Sequence, residues 1–353
     1  MDQILIAPAQ IESELQRIWD SLQGTNKMRA CLFNLIIFAK KEERVPYLRL
    51  VAQKIIERFP SRIIFVELTS KEDKLETSVS VMTADEGDNE IVCDLINIRA
   101  GGSFLERVPF IILPNILPDL PIYLLHGHDP VNEDSLSKQI EQFATRLIFD
   151  SETTENLPQF AQTLLNYQKQ YHADIADLNW ARIENWRDLL TETFYSTDRL
   201  VQLKRSRLIH IHYNSTSSPS VSHTKTQAIY LQGWIASQLG WTFQKQDEGN
   251  VFYYKECTIY LHPSSMKSLT AGRVISIQIE TAEEETFLLT RHLENPRHVS
   301  IEISTKETCT IPSHTLFDID EVGQSTVHEV IHRGTSRHYM NLLSSLSTIQ
   351  GTL

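Results

Sequence analysis

An apolar run near the amino terminus constrains the fold more than any other feature of this sequence. Residues 30–39 are apolar on both faces instead of alternating with polar residues, which is typical of a central strand covered on both sides. A helical repeat follows over residues 46–59, and a second apolar run covers residues 63–68. Strand, helix and strand in this order predict a parallel unit with a right-handed crossover.

Strand-like and helical segments continue to alternate up to about residue 171. The pattern predicts further strands at 78–82, 90–98, 121–125 and 146–149, and helices at 135–145 and 157–171. We therefore predict an α/β fold in which residues 1–172 form an open, mostly parallel sheet domain with helices on both faces.

The second half of the chain has a different pattern. Residues 225–239 show a helical repeat that ends at Gly240, where a left-handed cap is expected. Residues 274–280 and 299–304 alternate with the two-residue period of strands. We predict that residues 173–353 form a second, α+β domain that begins with a helix rich in Trp and Arg.

Composition limits the partners and the location of the chain. The 353 residues carry a net charge of -12, and their basic residues are dispersed, which argues against a nucleic-acid partner. The sequence shows no export signal and no apolar run of membrane-spanning length, so no membrane contact is expected. The cysteines are isolated, as in reduced cytoplasmic proteins; they are Cys31, Cys93, Cys257 and Cys309.

The sequence carries no signature of a catalytic centre. It contains 12 Gly but neither a P-loop nor a G-x-G-x-x-G motif after a strand, so we expect no nucleotide cofactor. A nucleophile elbow is also absent. We therefore assign no catalytic residue and expect a protein that is not an enzyme.

Two histidine pairs have spacings that metal ligands use. His126 and His128 flank Gly127 at a predicted strand end, and His210 and His212 lie two apart within a predicted strand. Either pair supplies only two ligands, and a metal site needs more; we assign no metal. Ligands in open α/β sheets bind beyond the carboxyl ends of strands, so a possible ligand site includes Asp119, His126, His128 and Asp129.

The segment 177–190 places Trp180, Arg182, Trp186 and Arg187 in one predicted helix. On a helical wheel, both Trp residues lie in one apolar stripe together with Arg187. A buried guanidinium requires a partner. Three partners for Arg187 are open. The first is a group inside the fold. The second is another protein, since Trp and Arg often dominate binding at interfaces, and the third is the phosphate or carboxylate of a small ligand.

Several motifs, taken in order, resemble the OpcA family of glucose-6-phosphate dehydrogenase assembly proteins. The Trp-centred motifs are the most specific. The resemblance covers roughly residues 27–245 and rests on the following stretches: Arg29-Ala30, Pro60-Ser61-Arg62, Asp119-Leu120-Pro121, residues 177–187 and residues 231–241.

The resemblance implies a non-catalytic factor that binds glucose-6-phosphate dehydrogenase and promotes its active oligomer in the oxidative pentose phosphate pathway, which supplies NADPH. The residues expected to bind this partner are Trp180, Arg182, Trp186, Arg187 and Trp234. The alternative is an enzyme or sensor that takes a sugar phosphate or a metal at the carboxyl edge of the first sheet.

Overall fold

Two units divide the chain, and each contains its own sheet. The computed structural model describes residues 4–23, 27–40, 42–69, 72–84, 90–131, 135–218, 221–247, 249–318 and 323–349. The first unit comprises Met1–Asp150, Asn166–Leu178 and Val322–Thr335; the second comprises Ser151–Leu165, Asn179–Glu321 and Ser336–Leu353. The predicted domain boundary at residue 172 stays a prediction.

The elements of the first unit come from both ends of the chain. Its strands are β1 (Ile4–Ile6), β2 (Lys27–Arg29), β3 (Asn34–Ala39), β4 (Arg62–Thr69), β5 (Leu75–Ala84), β6 (Glu90–Gly101), β7 (Ile122–His126), β8 (Arg146–Phe149) and β9 (Asp174–Asp177). Its helices are α1 (Ile11–Ser21), α2 (Val45–Ile56), α3 (Val108–Ile112), α4 (Ser135–Glu141) and, late in the chain, α10 (Gln324–Ile331). Helix α5 (Leu157–Gln170) contributes residues to both units.

The second unit combines helices with a strand-rich segment. Its helices are α6 (Leu178–Arg182), whose first residue belongs to the first unit, α7 (Glu184–Thr193), α8 (Thr197–Lys204), α9 (Thr226–Leu239) and α11 (Arg337–Leu346). Its strands are β10 (Ser206–Asn214), β11 (Phe243–Asp247), β12 (Val251–Tyr254), β13 (Thr258–Ser264), β14 (Val274–Thr281), β15 (Thr286–Arg291), β16 (His298–Ser304) and β17 (Ser313–Leu316).

The predicted strand–helix–strand unit is confirmed by β3, α2 and β4. All six residues of β3 are buried, and β3 pairs in parallel with β4 on one side and with β7 on the other. Pro46 lies in the first turn of α2, where its missing N–H costs no helical hydrogen bond. Leu48, Val51 and Ile55 then pack into the core beside β3, as their spacing of three and four residues predicts.

The first sheet is open and mostly parallel, as predicted. Among the described residues it has nine strands in the order β1-β5-β6-β4-β3-β7-β8-β9, with β2 beside β6. Only β5 runs antiparallel to its neighbours, β1 and β6. The chain passes from β3 to β4 on one side and later to β7, β8 and β9 on the other, so the order reverses between β3 and β7. In open α/β sheets, ligands bind beyond the carboxyl ends of the strands at such a reversal.

Arg62 of the Pro60-Ser61-Arg62 turn is a structural residue of the first unit. Its side chain is 1% exposed and donates from Nε (3.0 Å) and Nη2 (2.7 Å) to Asp94 Oδ2. It also pairs with Glu12 and donates to the carbonyl oxygen of Asn115 at 2.9 Å. Because these partners surround the guanidinium and favour its charged form, they raise the pKa of Arg62 against the lowering effect of burial. This motif therefore joins α1, β4 and β6.

The sheet of the second unit confirms the predicted α+β character. Among the described residues it has eight strands in the order β11-β12-β13-β10-β14-β15-β16-β17. Strand β10 is parallel to β13, and the remaining pairs are antiparallel. Alternate residues form a buried apolar face, which includes Ile209, Ile211, Ile277, Ile279, Phe287 and Leu289.

Helix α9 ends as the sequence predicts. Gly240 has a φ of 67°, in the left-handed region, and Trp241 N donates to Ala236 O at 3.0 Å to close the last turn. Among the described helices, none combines the length and the apolar character that crossing a bilayer requires.

Candidate partner-binding site

The Trp–Arg segment forms two short helices, α6 and α7, where the sequence predicted one. The break falls at Ile183, whose φ of -95° and ψ of 6° leave the helical region. The apolar stripe is nevertheless confirmed: Trp180 and Trp186 are 5% and 1% exposed, and Ile183, Leu190 and Phe194 are buried with them. This stripe faces the interior of the second unit.

Arg187 has partners inside the fold. Its guanidinium carbon lies 3.5 Å from the centroid of the Trp180 ring, and Nη2 donates to the Trp180 carbonyl oxygen at 3.2 Å. A cation over an indole contributes about 0.5–2 kcal/mol, with the larger values at desolvated sites. The first of the three alternatives for Arg187, a partner inside the fold, is therefore present.

Arg182 forms a buried ion pair. Its Nη1 lies 2.8 Å from Glu152 Oε1, and the two side chains are 6% and 4% exposed. The same nitrogen donates to Asn179 Oδ1 at 3.0 Å, and Asn179 in turn donates to Ser151 Oγ at 3.0 Å. These contacts tie α6 to the start of the segment 151–165 within the second unit.

Trp186 packs against the carboxyl-terminal strands of the same unit. Its ring meets Phe317 edge to face, with centroids 5.1 Å apart. The Arg291 guanidinium lies over the rings of Phe317, at 4.7 Å, and of Trp186, at 5.5 Å. Trp180, Arg182, Trp186 and Arg187 are thus engaged within this unit, and their assignment to partner binding stays a prediction.

Trp234 has a different environment from the other four residues. It is half-buried on α9 and lines a cavity of about 330 Å³ formed by α7, α8 and α9, here called the α7–α9 groove. The lining is mainly apolar: Leu190, Thr191, Phe194, Tyr195, Leu200, Leu203, Trp234, Ile235, Gln238 and Leu239. Tyr195 is 87% exposed and Leu200 is 38% exposed, so large apolar side chains are available to another molecule.

Most of this groove is not predicted by the sequence patterns above, because they do not predict α8. The available signal was Ser196, whose hydroxyl caps α8 by accepting from Arg199 N at 3.3 Å. A Ser before a run with apolar residues at 200, 201 and 203 is a helix-start pattern. With α8 in place, Leu200 and Leu203 would have been candidates for a shared face with Trp234.

The predicted ligand site at the first sheet is only partly brought together. Asp119 is exposed in a turn before β7, with a φ of 65°, whereas His126 ends that strand. These two residues therefore lie at opposite ends of β7. Asp129 is half-buried, and its Oδ1 accepts from Val131 N at 3.0 Å.

His126 and His128 are buried, at 1% and 5% exposure. The His126 ring stacks on Phe149 with centroids 4.8 Å apart, and its Nε2 lies 3.4 Å from Glu141 Oε1. Burial lowers the pKa of His126 well below its usual value, and the neighbouring His128 acts in the same direction. The imidazole of His126 is therefore neutral at physiological pH.

An ion pair lies beyond the carboxyl ends of the central strands, close to where the strand order reverses. Arg44 follows β3, Asp150 follows β8, and Arg44 Nη2 lies 2.5 Å from Asp150 Oδ2. The two side chains are 2% and 0% exposed, and the Arg44 guanidinium also lies over the Tyr47 ring at 5.1 Å. Protein side chains thus fill space in the region where a ligand binds in open α/β sheets.

Fold and site together define a two-unit α/β protein with an apolar groove in its second unit. Residues 52–166 match the family described as the glucose-6-phosphate dehydrogenase subunit N-terminal domain, and residues 173–322 match the C-terminal domain of that subunit. The chain belongs to the OpcA family.

Curated relatives carry the same family name. An OxPP cycle protein OpcA from Synechocystis sp. is 30% identical over 196 residues, which cover 54% of this chain and 40% of that protein. The OpcA protein of Nostoc punctiforme is 27% identical over 203 residues, covering 56% of this chain and 42% of the relative. The match therefore spans less than half of the length of these relatives.

Two oxidoreductases are among the solved structures with a similar course of the chain. The aldose-aldose oxidoreductase from Caulobacter crescentus superposes with a TM-score of 0.49 at 8% identity, covering 89% of this chain and 94% of that one. Biliverdin reductase from Synechocystis gives a TM-score of 0.47 at 6% identity, covering 89% and 95%. A structural similarity this weak gives no information about the chemistry of this chain.

Proposed function

We propose that this chain is a cytoplasmic, non-catalytic assembly factor that binds glucose-6-phosphate dehydrogenase and favours its active oligomer. The observation that carries the proposal is the match of both family domains, in order, over residues 52–166 and 173–322. The proposed role is in the oxidative pentose phosphate pathway, and its benefit to the cell is NADPH supply.

An assembly factor of this kind works by differential affinity. It shifts the dehydrogenase toward the active form only by binding that form more tightly than the inactive one. A preference of about 1–3 kcal/mol corresponds to a shift of about 5- to 150-fold. The factor needs no catalytic group of its own, so the task requires only a surface that fits one form of the enzyme.

The α7–α9 groove is our proposed docking surface for the dehydrogenase. Trp and Tyr are enriched among the residues that dominate binding energy, especially where they fill or line apolar pockets. Trp234 lines the groove and Tyr195 projects from it, with most of its side chain in solvent. An aliphatic or aromatic side chain of the enzyme would displace water from this apolar lining and gain about 25 cal/mol per Å² buried.

The buried segment that contains Trp180, Arg182, Trp186 and Arg187 packs beneath the groove and supports it. Leu190 and Phe194 of α7 belong both to the buried stripe and to the groove lining. Trp180, Trp186 and Arg187 hold α6 and α7 in place through contacts within the unit. In this proposal they act on binding indirectly, by fixing the position of α7.

The region beyond the first sheet also supports a non-catalytic role. The Arg44–Asp150 pair occupies space beyond the carboxyl ends of β3 and β8, and His126 and His128 are buried in the protein. A buried ion pair is costly to separate, so opening this region to a sugar phosphate or cofactor would be unfavourable.

The test is size-exclusion chromatography with light scattering, in which the chain is mixed with glucose-6-phosphate dehydrogenase from the same source. A shared peak of defined mass is expected at micromolar concentrations. Two unchanged peaks, together with unchanged dehydrogenase activity, would refute the proposed function.

A matched pair of variants then tests the groove. Tyr195→Ser removes an aromatic side chain that is 87% exposed at the groove, and Leu293→Ser removes an apolar side chain that is 75% exposed elsewhere. We expect Tyr195→Ser to weaken the complex by about tenfold or more, while Leu293→Ser binds as the wild type does. Equal binding by both variants would exclude the groove but leave the assembly role standing.

A further inference from the structure

The face of the second sheet opposite its apolar core carries a cluster of imidazoles. His210 and His212 lie two residues apart on β10 and therefore project from the same face. Strand β13 lies beside β10 in parallel register and places His262 directly opposite His212. All three side chains are half-buried, so solvent and ions reach them.

The ring of His262 contacts the rings of both His210 and His212. His210 Nδ1 and His262 Nε2 are 2.9 Å apart, within hydrogen-bond distance. The rings of His212 and His262 have centroids 4.7 Å apart, and His212 Nδ1 lies 3.2 Å from Ser264 Oγ. Within the described part of the chain, no other hydrogen bond of these three rings is seen.

Burial favours the neutral form of His212 and His262. Desolvation is the largest cause that lowers the pKa of His212 and His262, and neighbouring histidines of the cluster lower both further. A neutral imidazole has a lone pair on one ring nitrogen, and that lone pair is what a transition metal binds. Imidazole nitrogens are therefore the donor atoms that this face of the sheet offers to a metal ion.

We propose that His210, His212 and His262 form a binding site for a divalent transition ion, of which Zn²⁺ is the physiological candidate. The donor atoms determine which metal ions can bind. Imidazole nitrogens suit Zn²⁺, Cu²⁺ and Ni²⁺, whereas Mg²⁺ and Ca²⁺ prefer oxygen ligands. Three protein ligands and a solvent molecule complete a tetrahedral zinc site.

Movements of the side chains make the site. Zn–N bonds of about 2.0–2.1 Å at a tetrahedral angle place two ligand nitrogens about 3.3–3.4 Å apart. His210 Nδ1 and His262 Nε2, at 2.9 Å, need to separate by only about 0.4–0.5 Å to admit an ion between them. His212 has to turn its ring away from Ser264 and gives up the hydrogen bond to that hydroxyl.

The strand framework fixes the three Cβ positions while the rings move. Strand β10 is hydrogen-bonded on both sides, to β13 and to β14. Sites built on paired strands hold their ligands more precisely than sites on loops. The ion would therefore add a link across β10 and β13 without a change of backbone.

The test is isothermal titration calorimetry of the full chain with ZnCl₂ in a non-chelating buffer. We expect one site that His210→Ala and His262→Ala each weaken by about tenfold or more. The matched controls are His298→Ala, an exposed imidazole elsewhere on the sheet, and Cys309→Ser, an exposed thiol; both are expected to bind as the wild type does.

Binding of Cu²⁺ supplies a second measurement, which reports the metal ligands directly and does not depend on the folding stability of the variants. The nitrogen hyperfine lines of bound Cu²⁺ in its electron paramagnetic resonance spectrum should indicate three imidazoles in the wild type and one fewer in His262→Ala. Circular dichroism checks that the variants are folded. A wild-type chain that takes up no Zn²⁺, or a site that both alanine variants leave unchanged, would overturn the proposal.

Discussion

Replacing Arg182 with alanine removes the cation from a buried ion pair of the second unit. Arg182 Nη1 and Glu152 Oε1 are 2.8 Å apart, and the side chains are 6% and 4% exposed. Removing one member of such a pair costs about 3–5 kcal/mol, because the remaining charge stays in a poorly solvating environment. At about 2–4 °C per kcal/mol for a unit of this size, the Tm should fall by about 6–20 °C.

Calorimetry and binding measurements together show whether Arg182 stabilises the fold or contacts the partner enzyme. Differential scanning calorimetry gives the Tm of Arg182→Ala, and titration calorimetry well below that temperature gives its Kd for glucose-6-phosphate dehydrogenase. We expect a lower Tm and a Kd within about twofold of the wild type, because a supporting residue acts through the folded population. Tyr195→Ser, which changes an exposed side chain, should show the reverse pattern.

The opposite outcome for Arg182 would refute this reasoning. An unchanged Tm with a Kd raised about tenfold, which is about 1.4 kcal/mol of binding energy, would make Arg182 a contact residue. Arg182→Lys serves as the conservative control. It keeps the positive charge and should recover part of the lost stability, although a Lys cannot reproduce the planar geometry of the guanidinium.

Three further outcomes are expected. Because burial keeps the pKa of His126 well below 6.5, unfolding takes up a proton below pH 6.5; stability present above that pH should fall by up to about 1.4 kcal/mol per pH unit on acidification. Urea unfolding at pH 7.5 and 5.5 measures this, and a pH dependence of undiminished size in His126→Phe would contradict it. Burial raises the pKa of Cys257 to about 12, so Ellman's reagent at pH 8 should label exposed Cys309 quickly and Cys257 only after unfolding; comparable rates for both thiols would rule this out. Gly127→Ala would place a Cβ 2.4 Å from Leu48 Cδ1 and 2.7 Å from Phe38 O and should cost about 1–3 kcal/mol in urea unfolding; an unchanged midpoint would show that the contact relaxes freely.

The parts of the fold that the sequence predicts are those with a strong local period. The run that becomes β3, the repeat of α2 and the Gly240 cap each depend on neighbours within a few residues, so the printed sequence is sufficient to find them. The stripe containing Trp180 and Trp186 was predicted for the same reason. Its division into α6 and α7 was not, because nothing near Ile183 marks a helix end.

The parts that escaped prediction depend on distant segments. Strand β9 has only four residues, Asp174–Asp177, and becomes a strand because β8 offers it an edge to pair with. His262 is 52 residues from His210 in sequence, so only the register of β10 and β13 shows that they meet. Predicting the α7–α9 groove requires α8, and the Ser196 cap is the local signal that marks the start of this helix.

The late position of α10 in the sequence has a consequence for folding during synthesis. Its Val327 and Val330 belong to the same buried cluster as Leu35, Ile63 and Phe65 of the first strands. The ribosome therefore has to synthesise the chain through Ile331 before this core can close, although domains generally fold from the amino terminus as they emerge. Until then the nascent chain exposes the apolar surface that α10 will cover, which is the kind of surface that chaperones bind.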